Sequence, residues 1–168
     1  MKNKMKKLAL LAVFGLLTLS SSAQKFGHIN SQELLSLMPE RTTAETSLQD
    51  YAKGLESQLM SMQTEYQSMV ENYQNNEESY DDLTKQDKIA EIQGLEQRLT
   101  TFQQSAQASL QKKEQELLQP ILEKAQNAID VVAEKGKYTY ILDSSSGFIL
   151  YSKDSEDILE KVKLALKI

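Results

Sequence analysis

The chain reads as an α+β protein, predominantly α, in which a long antiparallel coiled-coil hairpin projects from a small β-containing oligomerisation body. Three observations predict this. Apolar residues recur at alternating steps of four and three from Leu48 to Tyr73. A polar interruption near 76–84 separates that run from a second helical one. Short β-compatible runs stand at both ends of what is left once an export signal is removed. The expected division is 1–23 as signal, 24–41 with 137–168 as a discontinuous body, and 42–136 as the hairpin arm.

Lys2, Lys4, Lys6 and Lys7 form a positive head, Leu8 to Leu19 an apolar run, and Ser21-Ser22-Ala23 a small-residue cleavage site, so cleavage is expected before Gln24. A membrane anchor is the other reading of such a segment. Spanning a bilayer takes about 20 apolar residues, however, and this run has only 12. The four charges of the segment are all positive, so its removal takes the net charge from −5 to −9. Such an acidic chain is a poor partner for nucleic acid and for anionic membrane surfaces. With no cysteine, neither a disulfide framework nor a lipid-modified cysteine is available.

In the mature chain, Lys25 to Asn30 reads as a short strand, and Asn30-Ser31 as the cap of a short helix ending near Leu37. Pro39 interrupts. Thr42 and Glu45 have capping-box spacing and predict the start of the first long helix. Leu48, Ala52, Leu55, Leu59, Met62, Tyr66, Met69 and Tyr73 then form a heptad seam, between whose members lie mostly Gln, Glu, Ser, Thr and Asn. A helix with so polar an exterior must stand out into solvent.

Asn75 to Lys85 loses the pattern and is expected to turn, with Thr84 and Asp87 spaced as the next cap. Ile92, Leu95, Leu99, Phe102 and Ala106 resume heptad spacing, whereas Leu99, Leu110, Ile121 and Val132 are eleven apart. An eleven-residue period relaxes the left-handed supercoil, so the packing partner should change along this helix. Pro120 deletes the hydrogen bond to the Glu116 carbonyl and predicts a kink rather than a stop, with Gly136 as the C-terminal cap.

Tyr138 to Asp143 and Phe148 to Tyr151, joined by Ser144 to Gly147, predict a β-hairpin, and Asp154 to Asp157 lead into a terminal helix. Both faces of the two runs are apolar, so a lone copy would leave one face wet. The base as a whole is therefore expected to be a subunit interface, with Phe26, Ile29, Tyr140, Ile141, Leu142, Phe148, Ile149 and Leu150 as the residues of the oligomer body.

This order of features resembles the Skp/OmpH family of periplasmic chaperones. The likeness is carried by Lys25-Phe26-Gly27-His28-Ile29-Asn30, by Pro120-Ile121-Leu122-Glu123-Lys124-Ala125, and by Gly136-Lys137-Tyr138 through Leu142-Asp143. The resemblance implies a periplasmic homotrimer, a prefoldin-like jellyfish whose three arms enclose unfolded outer-membrane β-barrel proteins and release them without ATP. The residues themselves predict no cofactor, metal or catalysis, since His28 is the single histidine and nearly all the acids lie on polar helix faces. Enterobacterial members typically carry basic arm tips, whereas Glu77, Glu78, Asp81, Asp82 and Asp87 outnumber Lys85 and Lys88 here. A membrane or lipopolysaccharide contact through a basic tip is therefore not carried over.

Candidate client contacts are the apolar residues beside or off the seam, Tyr51, Met60, Val70 and Ile89, because Met and Tyr suit promiscuous surfaces. Tyr66, Tyr73 and Tyr80 recur every seven residues and read as seam packing rather than a ligand ladder. His28, Asp143 and Ser144 to Ser146 are the residue types of a hydrolase triad, but no nucleophile motif surrounds those serines. The alternative to a chaperone is a structural adapter of the cell envelope that docks a folded partner through the hairpin tip.

Overall fold

The computed structural model describes residues 24–168, and the expected signal segment lies outside the described residues. Strand β1 (Phe26–Ile29) is followed by α1 (Ser31–Leu37), α2 (Pro39–Asn76), a 3-10 turn (Glu77–Ser79) and α3 (Asp82–Gly136). Strands β2 (Tyr140–Asp143) and β3 (Ser155–Asp157) and helix α4 (Leu159–Leu166) complete the chain. α2 has 38 residues and α3 has 55, about 57 and 83 Å at 1.5 Å per residue. They pack against each other as one hairpin.

Every residue of the Leu48 to Tyr73 seam is partly buried, and Ile92, Leu99, Phe102, Ala106 and Leu110 answer them on α3. Two helices alone leave the rims of their seam wet, and along the arm only Leu95 is fully enclosed, at 0% exposure. Nearer the body the partner changes. Ile121, Ala125, Ala128 and Val132 of α3 are buried in one core with Ile29, Leu34, Met38, Ala44, Ile158, Leu159 and Val162. The eleven-residue spacing thus carries α3 from a two-helix seam into a body packed from several sides.

Several local expectations are corrected. α2 begins at Pro39, not Thr42. Proline suits the first helical turn because its missing N–H would have no helical partner there, and Glu45 pairs with Arg41 instead of closing a capping box. α3 is capped by Asp81, whose Oδ1 accepts from Thr84 N at 2.7 Å, rather than by Thr84. Its C-terminal cap is Lys137 in the left-handed region, φ 54°, one residue beyond Gly136. What requires glycine at 136 is space, since a Cβ there would lie 2.2 Å from the Tyr138 ring. Pro120 lies inside α3, which is not divided by it.

The predicted β-hairpin is absent. The sheet has the order β2-β1-β3, and β1 pairs in parallel with both neighbours, Phe26 opposite Tyr140 on one side and Ser155 on the other. Residues 148–151 form no strand, while Ser155-Glu156-Asp157, expected to open the terminal helix, is the third strand. Main-chain hydrogen bonds to β1 make it a strand, because its side chains have little β preference. α4 then starts at Leu159, whose N–H donates to Asp157 Oδ1 at 2.9 Å.

Candidate functional site

The sheet buries one face only. Gly27, Ile29 and Ile141 alternate inward toward Ile158, which is 0% exposed. Phe26, His28, Tyr140 and Leu142 alternate outward, with the Phe26 and Tyr140 rings stacked at 6.1 Å. Ile149 and Tyr151 approach the same face and share a depression with Phe26 and Leu142. Phe148 is 88% and Leu150 94% exposed. Of the eight body residues, Ile29 lies in the core of this protomer, because position 29 falls on the inward side of the alternation. Ile141 and Ile149 are half-buried, and the remaining five are exposed.

Two polar clusters hold this face in place. Asp143 at the end of β2 accepts from Ser31 Oγ at 2.6 Å and from Ser31 N at 3.2 Å, and from Ser145 N and Oγ, both at 2.9 Å. Burial pushes its carboxyl up, but these hydrogen bonds together outweigh it and bring the pKa down to about 2. Glu156 of β3 receives Lys161 Nζ, the Tyr138 hydroxyl at 2.6 Å and Lys25 Nζ at 3.1 Å. The Lys161 contact first, then Tyr138 and Lys25, lower its pKa to about 2. Lys25 Nζ also lies 4.0 Å above the centre of the Tyr138 ring.

Sequence reasoning missed this second cluster because Lys25, Tyr138, Glu156 and Lys161 share no motif. Nor do the triad residue types converge. His28 Nδ1 is bonded to Ser155 Oγ at 2.9 Å on the outward strand face, and Asp143 serves Ser31 and Ser145.

On the arm, Tyr51, Met60 and Ile89 are exposed, Met60 by 65%, and Val70 is half-buried beside the seam. Leu83 at the tip is 69% exposed and had no periodicity to mark it. The tip closes on its own tyrosines. The Tyr73 and Tyr80 rings lie 6.3 Å apart, Tyr73 donates to Glu77 Oε1 at 3.3 Å, and Tyr80 donates to Asn72 Oδ1 at 3.1 Å. Glu77, Glu78, Asp81 and Asp82 are all exposed around them.

A long two-helix arm on a small sheet-containing body has counterparts among known proteins. Proteins named Chaperone protein Skp match almost end to end. The one from Vibrio cholerae is 29% identical over 97% of this chain and 100% of its own length. The one from Photorhabdus luminescens is 27% identical over 97% and 100%. A crystal structure of an OmpH-like candidate outer membrane chaperone from Caulobacter crescentus CB15 superposes with a TM-score of 0.74, at 14% identity, over 89% of this chain and 88% of that one. It shares the fold. The family model described as outer membrane protein (OmpH-like) matches residues 25–166, nearly all that follows the expected signal; the chain belongs to the OmpH-like family.

Proposed function

We propose that this protein is an ATP-independent holdase chaperone of the periplasm, which binds unfolded outer-membrane proteins between helical arms and prevents their aggregation. The observation that carries this is the outward sheet face, with Phe26, Tyr140, Leu142, Phe148 and Leu150 uncovered at the root of a long arm. Apolar surface of this kind is removed from water by a second copy. Three copies meeting through these faces, a homotrimer, would set three arms around one space. Kinship with proteins named as chaperones supports the same reading.

Exposed Tyr51, Met60 and Ile89, with Val70 beside the seam, would offer scattered apolar contacts to a client chain. Many weak contacts hold without sequence selection and release without a nucleotide. No step here is catalytic and none draws on a cofactor. The exposed acids at the tip repel anionic headgroups, so membrane or lipopolysaccharide contact through the tip is not part of this function.

The test is dilution of a urea-denatured outer-membrane β-barrel protein into buffer with and without residues 24–168, following light scattering and the mass of any soluble complex. Suppressed scattering with one client per trimer is expected. Unchanged scattering across several clients would overturn the proposal in favour of an adapter with a folded partner.

A further inference from the structure

His28 is the only histidine of the chain, and it stands on the middle strand of the sheet, on the outward face. Its register neighbours are Leu142 of β2 and Asp157 of β3, and Phe26, two residues back, shares the face. The residue is half-buried, with Nδ1 2.9 Å from Ser155 Oγ. Around it lie Phe26, Tyr140, Leu142, Phe148 and Leu150, the exposed apolar surface through which copies are proposed above to meet. The charges near this face are engaged or balanced. Asp157 is exposed, and its Oδ1 accepts from Leu159 N at the start of α4. Asp143, at the end of β2, is held by Ser31 and Ser145. Lys153 and Asp154, of opposite sign, line the same depression as Ser155, and Tyr140 and Tyr151 add phenols to the face.

Imidazole is the side chain whose charge ordinarily changes between pH 8 and 5. On a free protomer a charged ring at this position keeps water, whereas beneath the apolar face of a second copy it loses that water. The carboxylate beside it, Asp157, is already committed to the first amide of α4. Desolvation therefore disfavours the charged ring in the assembled state, and by linkage the charged ring disfavours assembly. We propose that His28 is a pH switch of assembly: the neutral ring lets copies join through the outward sheet face, and its protonation on mild acidification drives them apart. This rests on the association proposed above and adds a control to it. The free protomer binds the proton more readily than the assembled one, so association is complete above about pH 7.5 and weakens as pH falls through the range in which imidazole charges. The body of each protomer outlasts that change, because the Asp143 and Glu156 carboxyls, with pKa values of about 2, keep their charges and contacts well below it. One pH unit below the ordinary imidazole value of about 6.5, shedding a proton costs about tenfold per ring, and three rings raise the protein concentration of half-association about thirtyfold.

The test is sedimentation velocity of residues 24–168 over a dilution series at pH 7.5 and at pH 5.5, at constant ionic strength, with circular dichroism recorded at both. Half-association should move to about thirtyfold higher concentration at the lower pH with helicity unchanged, and His28→Leu should associate equally at the two. Four results would overturn the switch and leave the assembly standing: equal association of wild type at both pH values, tighter association at pH 5.5, dissociation accompanied by loss of helicity, or a shift retained by His28→Leu. A wild type that stays monomeric at both pH values would overturn the assembly as well. A measurement on the unaltered protein covers the case in which His28→Leu fails to fold. The titration midpoint of the His28 ring-proton resonance should lie lower above the half-association concentration than below it, and equal midpoints would also overturn the switch.

Discussion

The Glu156 carboxylate ties together four segments that are far apart in sequence: the start of β1 through Lys25, the α3–β2 connection through Tyr138, β3 itself and α4 through Lys161. Its pKa of about 2 lies below the usual value of a glutamate, so the folded protein binds this proton less readily than the unfolded chain does. The resulting stability is fully present above about pH 4.5 and is lost as pH falls toward 2. A Glu156→Gln variant should be less stable than wild type at pH 7, and the two should converge between pH 4.5 and 2 in urea unfolding monitored by circular dichroism. Parallel curves over that window would show that the cluster contributes no pH-dependent stability. None of these contacts was legible beforehand. Only the parallel pairing of β3 with β1 brings Glu156 to Lys25, and that pairing leaves no periodic trace.

The two arm helices were the most legible elements, because a heptad seam is a periodic signal and each of its members, Leu48 through Tyr73, is in fact partly buried. The strands were legible only where side chains and pairing agree. Tyr140 to Asp143 is a strand as read, but the apolar 148–151 run is not one and the polar 155–157 run is. Apolar composition there marks a surface to be covered rather than a strand. Element ends were misplaced where a cap depends on backbone geometry, as at Pro39, Asp81 and Lys137. Within α3, Pro120 is exposed and followed at once by Ile121, which is 5% exposed, so core packing holds the helix together across the missing hydrogen bond. Pro120→Ala restores that bond and should stabilise the protein by about 1–3 kcal/mol, read as a raised urea midpoint with an unchanged slope. An unchanged midpoint would mean that the backbone has already relaxed around the proline.

At the scale of the molecule, the wet face expected from the apolar runs is present, but it is lined by an irregular 148–151 segment rather than by a second strand of a hairpin. Phe148 and Leu150 touch almost nothing in this protomer, so replacing both by serine should leave the helical circular dichroism intact while shifting sedimentation toward the monomer. A variant that stays fully associated would locate the contact between copies elsewhere. The sheet has a further consequence, in time rather than space. Its middle strand is the first element of the described residues, and both partners of that strand come from the far side of the arm; Ser31 and Asp143, bonded beside it, are 112 residues apart. A helical hairpin zips from its turn through neighbours close in sequence, whereas this sheet cannot begin until nearly the entire polypeptide is present. A chain threaded outward from its N-terminus therefore delivers the central strand first and must hold it unpaired until the last thirty residues arrive.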